Sequence, residues 1–165
     1  MTTTSPLLGS CARSATAAES RYRIDAPVES RAARVIALDA PAAVVAASVA
    51  TGDWASARFS SCEAVGAGQA QDFLLRSLDG SPVLLADELS GAHVVVMIAT
   101  QDAGAACAYA IGRACWERSI MTAGVVLGDG SDAEHAVAAL RPHARVLLPT
   151  ADESDVVELL RALRV

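Results

Sequence analysis

The sequence predicts an α/β protein built on a three-layer, Rossmann-like, mostly parallel sheet of about six strands. Residues 93–128 read as an apolar run (HVVVMIAT), a Gly/Ala-rich turn, a helical pattern (AYAIGRACWERS) and a second apolar run (MTAGVVLG). A Val/Ile-rich run that enters a tight turn and leads straight into a helix is typical of a strand buried on both faces of a parallel sheet. Strand-like and helix-like segments then alternate to residue 165, which favours right-handed crossovers within one sheet.

In the first half of the chain, strands are predicted to begin near residues 34, 57 and 73. RVIAL forms the first, and Asp39 followed by Pro41 is a helix-start signal, with Gly52 as the predicted stop. ARFSSC alternates well enough for a second strand. Residues 73–78 and 82–85 flank the turn Asp79-Gly80, which indicates a hairpin or a strand followed by a turn.

In the second half, strands are predicted over 94–100, 121–127 and 144–148. The pattern from Ser131 to Glu134 is that of a capping box opening a helix to about Leu140. A second capping box is predicted from Thr150 to Glu153, opening the last helix.

Length and composition predict one domain. The chain has 165 residues, of which 53% are hydrophobic and 19% charged. Residues 1–32 are rich in Ser, Thr, Ala and Arg without a sustained period, so we expect a flexible N-terminal tail before a domain over 33–165. The high apolar share favours a subunit or partner interface.

The charged residues exclude several classes of function. All 13 basic residues are arginines, so mechanisms that need a lysine amine, as in P-loops, Schiff-base enzymes and kinases, are excluded. A net charge of −6 and a pI near 4.9 predict no binding to nucleic acid or to anionic membranes. The apolar runs are also too short for a membrane span.

The cysteines predict neither a zinc site nor a disulfide framework. Cys11, Cys62, Cys107 and Cys115 form no CxxC pair, and no secretory signal is visible. We therefore expect free thiols, no metal and a cytoplasmic location.

The turn after the first predicted strand is where a dinucleotide cofactor would bind. Dinucleotide binding needs a glycine-rich turn there, where the backbone approaches the pyrophosphate. Residues 38–41 (LDAP) contain no glycine, so no NAD, FAD or other cofactor is predicted.

Residues 89–165 also carry a family resemblance. LSGAHVVVMIAT, a small-residue turn, GAACAYAIGRACWERS, MTAGVVLG, a helix and a strand ending RVLLPT follow one another in that order. This succession resembles the nucleotide-binding core of tubulin-like cell-division GTPases of the FtsZ type, whose phosphate loop reads GGGTGTG. Of that loop only Gly104 is present here, and Asp102 adds a negative charge where phosphates would lie. The resemblance implies a degenerate nucleotide fold.

From this architecture we expect a non-catalytic binding or assembly module that forms a homo-oligomer or binds a partner protein or a small ligand. Its contact surface would be the loops at the carboxyl ends of the strands, where open α/β sheets bind ligands. The candidate residues are Asp39, Thr100, Gln101, Asp102, Gly104, Cys107, Gly128 and Asp129.

The alternative is a small cysteine-dependent enzyme or a redox sensor, which leaves the question of catalysis open. Cys107 lies near the start of a predicted helix, where the helix dipole favours a thiolate, and His93 or Asp102 would assist it. Against this, Cys107, Ile111 and Cys115 have the spacing of a buried stripe.

Overall fold

Residues 29–62 and 74–165 are described by a computed structural model of the chain. Strands and helices alternate along most of this length, because apolar runs and amphipathic segments alternate in the sequence. The strands are β1 (Ala33–Ala37), β2 (Ala57–Cys62), β3 (Leu74–Ser77), β4 (Pro82–Leu84), β5 (Val94–Ala99), β6 (Met121–Leu127) and β7 (Val146–Ala151). The helices are α1 (Ala40–Val49), α2 (Leu85–Glu88), α3 (Ala105–Glu117), α4 (Glu134–Leu140) and α5 (Glu153–Ala162).

The strands form one seven-stranded sheet in the order β4-β3-β2-β1-β5-β6-β7. The neighbouring strands from β2 through β1, β5 and β6 to β7 are parallel to one another. β3 is antiparallel to both of its neighbours, β2 and β4. The predicted α/β class with a mostly parallel sheet is therefore confirmed. The predicted strand number of about six is one too low, because the two arms of the hairpin around Asp79-Gly80 both join the sheet.

The centre of the sheet is buried on both faces. All five residues of β1 and all six of β5 are buried. Along β5, Val94, Val96 and Ile98 belong to one buried cluster, and the residues that alternate with them belong to a second. Successive side chains of a strand point to opposite faces, so helices and loops must cover both.

The sheet contains a point where the direction of winding reverses. β1 pairs with β2 on one side and with β5 on the other, so chain segments leave it in both directions. In open α/β sheets such a reversal leaves a crevice at the carboxyl ends of the two strands. Asp39 and residues 100–104 of the candidate site follow these two strands.

Two predicted helix starts can be compared with the structure. The start of α1 is confirmed: Asp39 is its N-cap and Pro41 stands in its first turn, although the helix ends at Val49 rather than at Gly52. The second predicted capping box is wrong in register. Asp152 is the N-cap of α5 and pairs with Asp155, while Thr150 belongs to β7.

The predicted tail, residues 1–32, lies mostly outside the described residues. Its last residues are hydrogen-bonded: the N–H of Arg31 donates to Arg164 O at 2.8 Å, and the N–H of His93 donates to Ala32 O at 2.8 Å. Among the described segments, no helix combines the length and apolar character needed to cross a membrane.

Candidate functional site

The structure places the candidate residues along one edge of the sheet. They follow β1, β5 and β6 at their carboxyl ends, and Cys107 lies in the first turn of α3. We define the carboxyl edge as the loops that follow β1, β5, β6 and β7, residues 38–39, 100–104, 128–133 and 152.

Asp39 joins two of these loops. Its Oδ1 accepts hydrogen bonds from the N–H of Ala42 at 2.9 Å and the hydroxyl of Thr100 at 2.6 Å. Its Oδ2 accepts from the backbone N–H groups of Thr100 at 2.7 Å and Gln101 at 3.0 Å. The residue is only 8% exposed. One carboxylate thus caps α1 and fixes the turn after β5.

Gly104 provides a close approach between the same two loops. A Cβ atom at this position would lie 2.5 Å from Leu38 Cβ and 2.8 Å from Leu38 O. Both contacts are too short for any side chain larger than hydrogen. Gly104 therefore packs directly against Leu38, the residue that follows β1.

Asp102 caps a helix that lies more than thirty residues further along the chain. Its Oδ1 accepts from the N–H groups of His135 at 2.7 Å and Ala136 at 3.0 Å, and its Oδ2 lies 2.6 Å from Nδ1 of His135. The bond to His135 lowers the pKa of Asp102, and the same bond raises the pKa of His135. This pairing holds α4 against the turn after β5.

The capping box predicted at Ser131 and Glu134 is therefore wrong. The N-cap of α4 is Ala133, which makes no side-chain bond. Ser131 instead donates to Asp129 Oδ1 from its N–H at 3.0 Å and its hydroxyl at 2.7 Å, bonds that lower the pKa of Asp129. The adjacent Gly128 has a positive φ of +88°, which turns the chain. Its N–H donates to Ala151 O at 3.0 Å.

Cys107 is not the free thiol that was expected. Its sulfur is bonded to Cys62 at the end of β2, with a Cα–Cα distance of 6.4 Å. Both cysteines are buried, at 1% and 6% exposure. The expectation of free thiols holds for Cys115, where burial raises the pKa to about 12, while Cys11 lies outside the described residues.

The structure does not bring His93 to Cys107. His93 precedes β5 and its Nδ1 accepts a bond from the N–H of Ala32 at 3.2 Å. Cys107 follows the other end of the same six-residue strand, a separation of roughly 20 Å along the strand. Asp102 lies on the same side as Cys107, but its carboxylate is occupied by α4.

The carboxyl edge is acidic. It carries five carboxylates and no arginine: Asp39, Asp102, Asp129, Asp132 and Asp152. Three of them cap helices, at α1, α4 and α5. A helix N-terminus attracts anions through its free N–H groups, so these capped termini have little left to offer a phosphate.

Two side-chain contacts at this edge are not predicted from the sequence. His135 is the partner of Asp102 and Cys62 is the partner of Cys107, and neither belongs to a local motif. Within residues 29–62 and 74–165, no group of three or more His, Cys, Asp or Glu side chains is arranged to hold a metal ion. No family model, no curated protein and no solved structure matches the chain.

Proposed function

We propose that this chain is a non-catalytic, three-layer Rossmann-like binding or assembly module, with a fold that resembles a degenerate tubulin/FtsZ-like nucleotide fold. It contacts a partner protein, a second copy of itself or a small ligand through the carboxyl edge. The observation that carries the proposal is the use of the Asp39 and Asp102 carboxylates: both are consumed by backbone N–H groups and neighbouring side chains.

Phosphate binding is disfavoured by the same contacts. In a nucleotide site the N–H groups after β5 and at the helix starts donate to phosphate oxygens. Here the N–H groups of Thr100 and Gln101 donate to Asp39. A phosphate at this turn would displace that carboxylate and lie beside its negative charge, a repulsion that would weaken binding.

The charge of the carboxyl edge supports a partner with a basic surface. Asp129 and Asp132 are exposed and no arginine of this edge neutralises them. Electrostatic complementarity then favours a basic surface. The same charge disfavours nucleic acid and anionic membranes as partners of this edge.

The test compares two double charge reversals. Asp129→Arg with Asp132→Arg changes the carboxyl edge, whereas Glu29→Arg with Asp53→Arg makes the same charge change at exposed positions of the opposite edge. We expect light scattering after size exclusion to show assembly of the wild type and of the control, and loss of assembly in the carboxyl-edge variant. Calorimetry with a nucleotide panel should show no binding. A tight nucleotide complex of a strict monomer would overturn the proposal.

A redox sensor that uses Cys107 is the second candidate, and the Cys62–Cys107 bond favours it. We propose a cytoplasmic location, and in that compartment disulfides are usually transient or redox-sensing. The enzyme form of this alternative needs a thiolate at Cys107, which only reduction would provide.

The reduction potential of the Cys62–Cys107 pair distinguishes a redox sensor from a structural disulfide. A sensor should have a potential within the range of cellular thiols, and a value below about −300 mV would mark a structural disulfide. For the enzyme form, alkylation of the reduced protein against pH should show a depressed thiol pKa. An apparent value near the free-cysteine value of about 8.5 would remove the reason for it.

A further inference from the structure

The outer face of α3 carries exposed aromatic side chains. Trp116 is 74% exposed and Tyr109 is 54% exposed, in a chain with only two residues of each type. They lie seven residues apart on the same helix face, with exposed Arg113 between them. Tryptophan, tyrosine and arginine are the residues enriched at the centres of protein interfaces.

A cleft adjoins this face where α3 ends. It has a volume of about 370 Å³ between the end of α3, the start of β6 and the loop before β7. Its lining includes Trp116, Ile120, Met121, Thr122, His143 and Arg145.

The floor of this cleft is fixed in place. His143 packs against α3 so closely that a Cβ on Gly112 would lie 2.6 Å from its ring, and the ring of Tyr109 meets it edge-on at 5.7 Å. The hydroxyl of Thr122 donates to the carbonyl of His143. A side chain entering the cleft would therefore meet a preformed surface, which lowers the entropy lost on binding.

The chain segments that contribute to the cleft carry a net positive charge although the chain as a whole is acidic. Residues 113–122 and 141–146 contain four arginines and one carboxylate, Glu117, and so have a net charge of +3. Glu117 pairs with Arg113 at 3.0 Å. Among the described residues, Arg141 and Arg145 have no ion-pair partner and are exposed.

We infer that this face, formed by Tyr109, Arg113, Trp116 and the adjoining cleft, docks an acidic protein segment that places an apolar side chain against Trp116, Ile120 and Met121. Arg145, which lines the cleft, would pair with a carboxylate beside that anchor. The inference does not depend on the proposed function, because this surface lies at the other end of β6 from the carboxyl edge.

A protein segment fits better than a nucleic acid. Single-stranded nucleic acids need a continuous basic track with several stacking rings. The net charge of −6 and the short cleft beside one exposed indole do not provide such a track. A labelled single-stranded RNA is nevertheless included as an arm of the test.

The experiment selects ligands from a phage-displayed random peptide library on the folded full-length chain. We expect enriched peptides with acidic residues flanking an aliphatic or aromatic side chain. Synthetic versions should lose roughly tenfold or more in affinity against Trp116→Ala and against Arg145→Glu. Because both side chains are exposed, these variants should fold, which melting curves will verify.

Matched controls separate this surface from others. Val44→Ala removes another highly exposed apolar side chain, 72% accessible on α1, and should leave affinity unchanged. The Asp129→Arg, Asp132→Arg variant should also bind the peptides normally, so failure of the proposed function leaves this readout intact. Enrichment of peptides that bind Trp116→Ala as tightly as wild type, or tighter binding of the RNA at this face, would overturn the inference.

Discussion

The two edges of the sheet use charge in opposite ways. We define the amino edge as the loops that precede β1, β2, β5, β6 and β7, residues 29–32, 50–56, 89–93, 118–120 and 141–145. It carries four arginines and two carboxylates, whereas the carboxyl edge carries five carboxylates and no arginine. Helices that follow parallel strands point their N-termini at the carboxyl edge, so carboxylates are favoured there and cations at the other edge.

The same physical cause therefore has different consequences at the two edges. At the carboxyl edge, Asp39, Asp102 and Asp152 are consumed in capping, so their charge supports the fold. At the amino edge, Arg145 stands free beside exposed Trp116. Substitution of the capping carboxylates at the carboxyl edge should therefore reduce stability, whereas substitution of Arg145 at the amino edge should reduce peptide binding.

The largest effect is expected for Asp39→Ala. The variant would leave the N–H groups of Ala42, Thr100 and Gln101 without their acceptor in a largely buried site. Loss of a cap and of charge-assisted bonds should lower the free energy of unfolding by about 4 kcal/mol in urea titrations. Arg145→Ala at the amino edge should change it by less than about 0.5 kcal/mol. Equal losses from the two variants would remove the contrast between the edges.

Removal of the disulfide should have the next largest effect. Cys62→Ala opens a link between residues 45 apart in sequence, which should cost about 3 kcal/mol under oxidising conditions. In the presence of a dithiol reductant, wild type and variant should differ much less. Cys115→Ala is the control, since its effect should not depend on the reductant. A variant as stable as the oxidised wild type would show that the bond does not support this edge.

Gly104→Ala tests whether the loops after β1 and β5 must stay in close contact at the carboxyl edge. The added methyl would contact Leu38 Cβ at 2.5 Å and force the turn after β5 away from β1. We expect a loss of about 2 kcal/mol from overpacking. Ala106→Ser, an exposed change two residues further on, should be nearly neutral. An unchanged melting temperature for Gly104→Ala would mean that the two loops are free to separate.

These cases also show what the sequence can predict. β5 and the start of α1 were predicted because their signals are local: six consecutive apolar residues, and an aspartate two residues before a proline. The partners of Asp102 and Cys107 were missed because they lie 33 and 45 residues away, a separation that only the tertiary fold closes. Ser131, the N-cap that the local pattern predicts for α4, donates its hydroxyl hydrogen bond to Asp129 instead.

The smallest effect concerns the titration of His135. Its bond to Asp102 raises its pKa, so we expect an NMR titration midpoint above the ordinary value of about 6.5. The stabilisation linked to the raised pKa is fully present below the unfolded value and is lost as pH rises through the folded value. Asp102→Asn should return the midpoint towards the ordinary value, while Asp129→Asn, which removes a carboxylate bound only to Ser131, should leave it in place. A midpoint that does not respond to Asp102→Asn would show that the carboxylate holds α4 through its backbone N–H groups alone.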